Sequence, residues 1–365
     1  MLGKRALSFV GLLAVAAGCA TGSGGPYQPG SGAPTLNAPI GWPVRTAEYV
    51  DVWLHGFALL TADTAKVPLF DRGYRERMLG LRRQRSVVTA LDANQSTLSA
   101  GFTRNPALVN AQFAIFGFAS FDEMVRVTQL FIRNDGSPGT VNDATTQQLF
   151  LWLRNYFPTV ADREWLRLFV LSLQEEQTKF YNSYWTALQA DRAATRQQVS
   201  TLWTGTYRAK FERFLRNVRL VDGTMILSLP IGGEGRTVTD PSLGNGIAVP
   251  YPSTPDSALV PIYVFAHEVV ATETQRALVD NTTPADQRSG VVDRMLPIAT
   301  VRAGAILLQR IAPELVAGYQ RYYLHCLGVA VPSGDPTAAF VASFSIPDAQ
   351  LNGITRQIDL VLQGI

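Results

Sequence analysis

A mainly α fold with a small β-sheet (α+β) is expected for this chain, a helical N-terminal part leading into a shorter region of strands and helices. Three observations carry that expectation. From residue 44 to about residue 217, apolar side chains return with a period near 3.6, the spacing of one helix face. Within that region, residues 161–218 contain no proline, which leaves room for two long helices or one kinked helix. Beyond residue 221 the character changes. "TMILSLP" and "GIAVPYP" are short β-like runs bounded by Gly, Pro, Asn and Asp. At 47% hydrophobic and 17% charged residues, the 365-residue chain has enough apolar material for a sizeable core.

The first 18 residues read as a signal peptide. Lys4 and Arg5 form a basic start, and an apolar run of about a dozen residues follows, which suits a signal sequence and falls short of the ~20 that span a bilayer. The run closes on "VAAGC", which resembles the lipobox of bacterial lipoproteins, with Ala16 where such boxes usually carry Leu. The resemblance implies that Cys19 is lipidated and becomes the mature N-terminus. Ordinary secretion with cleavage near Ala20 is the other reading. With Ala20 rather than Asp after the cysteine, the resemblance implies sorting to the outer membrane, facing the periplasm. Residues 19–41, rich in Gly, Ser and Pro, read as a flexible tether because they bury too little apolar area to offset their ordering entropy. The membrane is thus the first expected partner, with each lipid methylene contributing about 0.8 kcal/mol. No later stretch is long and apolar enough to span a bilayer.

The body divides into a helical region, 42–220, and a second region, 221–365, with the small sheet and further helices. "RTAEYVDVWLHGFALL" places Tyr49, Val52, Trp53, Phe57 and Leu60 on one helix face. Ser120 followed by Asp122 and Glu123 marks a helix start, since a hydroxyl caps free N–H groups and early acids oppose the helix dipole. Trp165, Leu168, Phe169 and Leu173 mark the buried face of the long proline-free run. After the strands, helical patterning resumes in "IYVFAHEVVATETQRALV" and in "VVDRMLPIATVRAGAILLQRIAPELVAGYQRYYLHCLG", and ends with "PDAQLNGITRQIDLVLQ". Removing Lys4 and Arg5 from the 32 basic residues leaves 30 against 29 acidic, so no basic field is available for nucleic acid. Cys19 and Cys326 are the two cysteines, so lipidation of Cys19 leaves no intramolecular disulfide; Cys326 reads as a small buried apolar residue.

The stretch "FAHEVVATET" sets His267 beside Glu268, the first half of H-E-x-x-H. In that motif two histidines four residues apart share a helix face and bind one zinc ion, and the glutamate takes a proton from the metal-bound water. Over residues 224–325 the order of elements resembles that of zincin metallopeptidases, gluzincins in particular: an apolar strand, a Gly-rich turn, an expected edge strand at Ile247–Pro252, the His267-Glu268 helix, and a later helix with "APELVAGYQRYYL". The resemblance implies His267 and Glu314 as metal ligands, Glu268 as the base, and Tyr322 as a hydroxyl that stabilises an oxyanion, with Tyr319 and Tyr323 close by in sequence. The departure is Ala271, which stands where the second histidine belongs and binds no metal. Glu273 is rotated roughly 240° from His267, and Thr274 returns to the face but is a poor zinc ligand. His55 and His325 are the other histidines, each on an apolar helix and each read as a satisfied, buried or partly buried group. Two protein ligands are too few for tight zinc binding, so the expected site is degenerate, with no cofactor or a weakly bound zinc.

Function is left with three readings. In the first, an envelope-anchored lipoprotein uses a non-catalytic metallopeptidase-like domain to bind an extended peptide or an envelope protein along its edge strand. In the second, it is an active zinc-dependent peptidase with a non-standard ligand set. In the third, it is a helical structural lipoprotein. "GGEGR", Gly232 to Arg236, reads as a plain turn more than as an anion cradle. Without C-x-x-C or G-x-S-x-G, thiol and serine catalysis have no support.

Overall fold

The computed structural model describes residues 41–61, 68–139, 141–240 and 244–365. The signal peptide 1–18, Cys19 and all but the last residue of the 19–41 tether lie outside the described residues. The body is mainly helical with one four-stranded sheet. Strand β1 (Val44–Thr46) opens it, and α1 (Glu48–Leu60), α2 (Tyr74–Gln84) and α3 (Ala90–Arg104) follow. A 3₁₀ segment, Pro106–Gly117, leads to α4 (Phe121–Arg133), α5 (Ala144–Tyr156), α6 (Val160–Glu176), α7 (Asn182–Asp191), α8 (Ala193–Leu202) and α9 (Arg208–Asn217). Ser120 caps α4 as expected, its hydroxyl accepting from the Glu123 N–H. Thr159 and Asp162 form a reciprocal capping box at the start of α6.

The proline-free run forms two long helices. Helices α6 and α7 are joined through a π-turn at Gln177–Tyr181, and α8 and α9 through another at Trp203–Tyr207. The break between the pairs falls at Arg192, whose ψ of 13° departs from helical values. After them come β2 (Thr224–Ser228), β3 (Arg236–Asp240) and β4 (Gly244–Pro250). The remaining helices are α10 (Val260–Val269), α11 (Ala271–Asp280), α12 (Pro284–Arg288), α13 (Val291–Ile311), α14 (Val316–Leu327), α15 (Thr337–Ser343) and α16 (Asp348–Gln363). Among the described residues no helix is long and apolar enough to cross a membrane.

The strand order is β1-β2-β4-β3, with β1, β2 and β4 parallel and β3 antiparallel to β4. Two expectations are corrected here. Val44–Thr46, at the start of the region read as helical, is a strand, paired in parallel with Met225–Leu227. The segment expected to be an edge, Ile247–Pro252, instead supplies the interior strand β4, which β2 pairs on one side and β3 on the other. Its backbone groups are therefore occupied, and no extended peptide can pair with it.

The sheet separates two apolar cores. Met225, Leu227, Ile247 and Val249 face a core built from α8–α11, α13, α14 and α16, while Ile226 and Ala248 face a core built from α1–α6. That is the period-2 alternation of a sheet covered on both faces. Two helices lie deep enough to be buried on all sides: α1 from Val50 to Leu60, and α10 from Pro261 to Val269. Both carry ionisable groups into the interior, α1 bringing Asp51 and His55, and α10 bringing His267 and Glu268.

Candidate functional site

His267 and Glu268 sit at the C-terminal end of α10, packed between β4 and the helices α13 and α14. Helical hydrogen bonding lapses at Val270, and Ala271 begins α11. The second-ligand position of the motif therefore lies on a different helix, and its side chain is a methyl group. Glu268 is 9% exposed. Its Oε1 accepts from the Gly235 N–H at 3.0 Å and meets His267 Nδ1 at 2.9 Å, and its Oε2 accepts from the Thr237 hydroxyl at 2.7 Å. Burial alone would raise its pKa; the bonds from His267 and Thr237 and the Arg236 charge outweigh that and hold it below the ordinary carboxylate value. Gly235 is needed for this approach, since a Cβ there would lie 2.6 Å from Glu268 Cγ and 2.8 Å from the Ala248 carbonyl. The pair thus ties α10 to the Gly232–Gly235 turn and to β3. Three of the turn's amides are spent internally, Gly232 N–H on Leu69 O, Glu234 N–H on Pro68 O and Gly235 N–H on Glu268 Oε1.

The remaining residues of the expected metal site lie on α14 and on the 3₁₀ turn before it. Tyr323 stacks on the His267 ring, with centroids 5.5 Å apart. Tyr322 donates its hydroxyl to the Gly232 carbonyl at 2.9 Å. Glu314 lies in the 3₁₀ turn Pro313–Leu315, at the surface, where it pairs with Lys210 at 2.5 Å. Helices α10 and α14 run side by side, Tyr263 beside Tyr319 and His267 beside Tyr323. At 1.5 Å per residue, the nine residues from Tyr323 back to Glu314 displace it from His267 by roughly 14 Å along the axis of α14. Among the described residues no group of three His, Cys, Asp or Glu side chains is placed to hold a metal ion. A zinc ion does not fit this donor set: one ligand is a buried imidazole bonded to its own neighbour, and the other is a distant surface carboxylate.

The other histidines serve elsewhere. His55 is wholly buried between the Tyr74 hydroxyl, 3.0 Å from Nδ1, and Glu176 Oε1, 3.1 Å from Nε2. Glu176 Oε2 accepts from the Thr89 hydroxyl at 2.6 Å and faces Arg82 at 3.3 Å. Both ring nitrogens have partners, so His55 is a core network member. His325 is exposed.

Sequence reasoning missed the cleft that His325 helps to line. A cavity of about 430 Å³ opens where β2 and β4 end, bordered by Leu229 and Tyr251, with Arg72, Arg77, Arg192 and Tyr322 on its walls. The carboxyl ends of parallel strands are where α/β sheets leave a crevice, because the chain departs in different directions from neighbouring strands. Cys326 also lines it, but burial pushes the thiol up to about 11, so it is no ready nucleophile. The sequence signals were weak: the arginine-rich "DRGYRER" after Phe70, which carries no motif, and "GGEGR", read as a plain turn, whose Gly232 and Gly233 line the cleft. No family model, curated protein or solved structure matches the chain.

Proposed function

We propose that this chain is a lipid-anchored protein of the bacterial envelope that acts by binding a ligand and not by metal-assisted hydrolysis, with the cleft at the ends of β2 and β4 as the binding place. The observation that carries the reading is the engagement of Glu268. Both of its oxygens already accept hydrogen bonds inside the protein, and the group is nearly closed to water. A general base needs a free approach to the water it activates, whereas this carboxylate holds a turn against a helix. The anchor rests on the basic start, the apolar run and "VAAGC" ending at Cys19. A partner that adds a strand would have to use β1 or β3, the two edges of the sheet.

Three measurements test this. Expressed in a Gram-negative host, the native chain is expected in the membrane fraction and Cys19→Ala in the soluble fraction; the same distribution for both would remove the lipid anchor. Purified without chelator, the protein is expected to carry no stoichiometric zinc. Glu268→Gln is expected to lower unfolding stability by about 1–3 kcal/mol, the cost of disturbing a buried hydrogen-bonded charge. Stoichiometric zinc, together with peptide hydrolysis abolished by Glu268→Gln, would overturn the binding reading in favour of the active peptidase.

A further inference from the structure

Among the described residues, the walls of the cleft carry more positive than negative charge. Three of the described residues that line it are arginines, Arg72, Arg77 and Arg192, against one carboxylate, Asp71. Asp71 is taken by Arg77. Arg72 donates Nε to the Cys326 carbonyl at 2.7 Å, and Arg192 donates Nη1 to the Tyr251 carbonyl at 2.6 Å. Neither of these two is within ion-pair distance of a carboxylate among the described residues. A carbonyl fixes a guanidinium without neutralising it, and the planar group keeps further N–H donors in a rigid fork. Arg192 is also steadied from below by the Tyr251 ring, whose centroid is 5.5 Å from its central carbon, and the Tyr251 hydroxyl bonds back to the Arg192 carbonyl at 3.1 Å.

The rest of the cleft agrees with an anion as guest. Val260, the first residue of α10, lines it, so the positive end of that helix dipole opens toward the same space. Leu229, Ile231, Tyr251 and Tyr322 supply an apolar surface beside the charges. The volume lies within the roughly 300–1,000 Å³ of small-molecule sites. We propose that the cleft binds a small organic anion, its carboxylate or phosphate group held by Arg72 and Arg192 and its apolar part laid on Tyr251 and Tyr322. Forked N–H donors match the paired oxygens of either head group, which is the strong, charge-assisted form of hydrogen bonding. The assignment rests on the binding reading above and adds the chemical class of the ligand.

The test is calorimetric titration at low ionic strength of the full chain carrying Cys19→Ala, with inorganic phosphate and with succinate as probes. Saturable binding of at least one is expected, weakened tenfold or more in Arg72→Ala and in Arg192→Ala. Arg310→Ala, which removes an exposed pair with Asp359, should bind as the parent does. Arg72→Lys and Arg192→Lys keep the charge but lose the fork, so severalfold weakening in these folded variants is the expected signature of bidentate contact. Absence of saturable binding by both anions, or binding equal in all variants, overturns the assignment. Zinc is titrated in parallel to separate the two levels. No anion binding and no zinc binding removes the anion assignment alone, whereas tight zinc binding abolished by His267→Ala removes the binding reading beneath it.

Discussion

Asp51 illustrates how burial changes the chemistry of a single side chain. It is fully buried on α1, with Oδ1 accepting from the Leu229 N–H at 3.2 Å and Oδ2 accepting from Trp185 Nε1 at 2.9 Å. Loss of solvation pushes its pKa up to about 7, with Glu48 adding to the rise and the bonds from Trp185 and Leu229 limiting it. The folded value therefore lies above the ordinary 3.8. The stability that Asp51 contributes is greatest below about pH 4 and is lost as pH climbs from there through about 7, by on the order of 4 kcal/mol in all. Asp51→Asn should flatten that dependence: urea unfolding at pH 5, 6 and 7 should show a steeper loss of stability in the native chain than in the variant. Parallel slopes would remove Asp51 as the cause. His55 acts on the acid side. Burial lowers its pKa, opposed by Glu176, so its contribution is present above the ordinary 6.5 and is lost as pH falls toward the lower folded value. In "EYVDVWLHGF" these two residues stand four apart in an apolar run, a visible oddity, but the partners that explain it lie between 19 and 178 residues away.

Among elements, the helices were legible and the thin strands were not. Period and caps placed α1, α4, α6 and α16 because each buries a stripe of large apolar residues, and that requirement is written in the chain itself. Strand β1 has three residues, and β3 reads "RTVTD", with a single large apolar side chain, so neither carries a run long enough to be noticed. The π-turns at Gln177–Tyr181 and Trp203–Tyr207 left no sequence mark, since each inserts one extra residue into an otherwise helical pattern. Close packing of α1 on α6 depends on Gly56, where a Cβ would come within 2.7 Å of Leu173 and 2.8 Å of Phe169. Alanine gains about 1 kcal/mol in a helix interior, but overpacking costs about 1–3 kcal/mol. Gly56→Ala is accordingly expected to lower the unfolding free energy by up to about 2 kcal/mol in denaturant titration, and a stabilised variant would show that the two helices can separate at no cost.

Across the body, the two cores share one sheet, and the chain crosses between them at its start. Trp42 is 1% exposed and belongs to the core built mainly by the C-terminal half, although α1 begins the other core a few residues later. Its indole donates to the Leu220 carbonyl at 2.9 Å, its own carbonyl accepts from Trp203 at 2.6 Å, and its ring meets Phe265 edge-on at 5.2 Å. Through Trp42 and β1 the two layers are stitched at the N-terminal edge of the sheet. Trp42→Ala should cost about 3–5 kcal/mol, as large core truncations do. Because β2 and β4 line both cores, far-UV circular dichroism and tryptophan fluorescence should report a single shared unfolding transition. Two separated transitions would show that the layers fold independently.

The sequence alone determined the mainly helical character with a small sheet, the positions of most helices and the large aromatic core residues, since local periodicity and composition act over a few turns. It also isolated His267-Glu268 and marked Ala271 as the departure from the metal motif. Tertiary structure decided what those residues do. Glu268 is bound to Gly235 and Thr237, which lie 33 and 31 residues earlier in the chain, Glu314 is turned out to Lys210, and β4 lies inside the sheet. The cleft arose in the same way. Arg72, Arg192, Tyr251 and Tyr322 come from four distant segments, and only the meeting of strand ends with helix ends brings their charge and aromatic surface to one place.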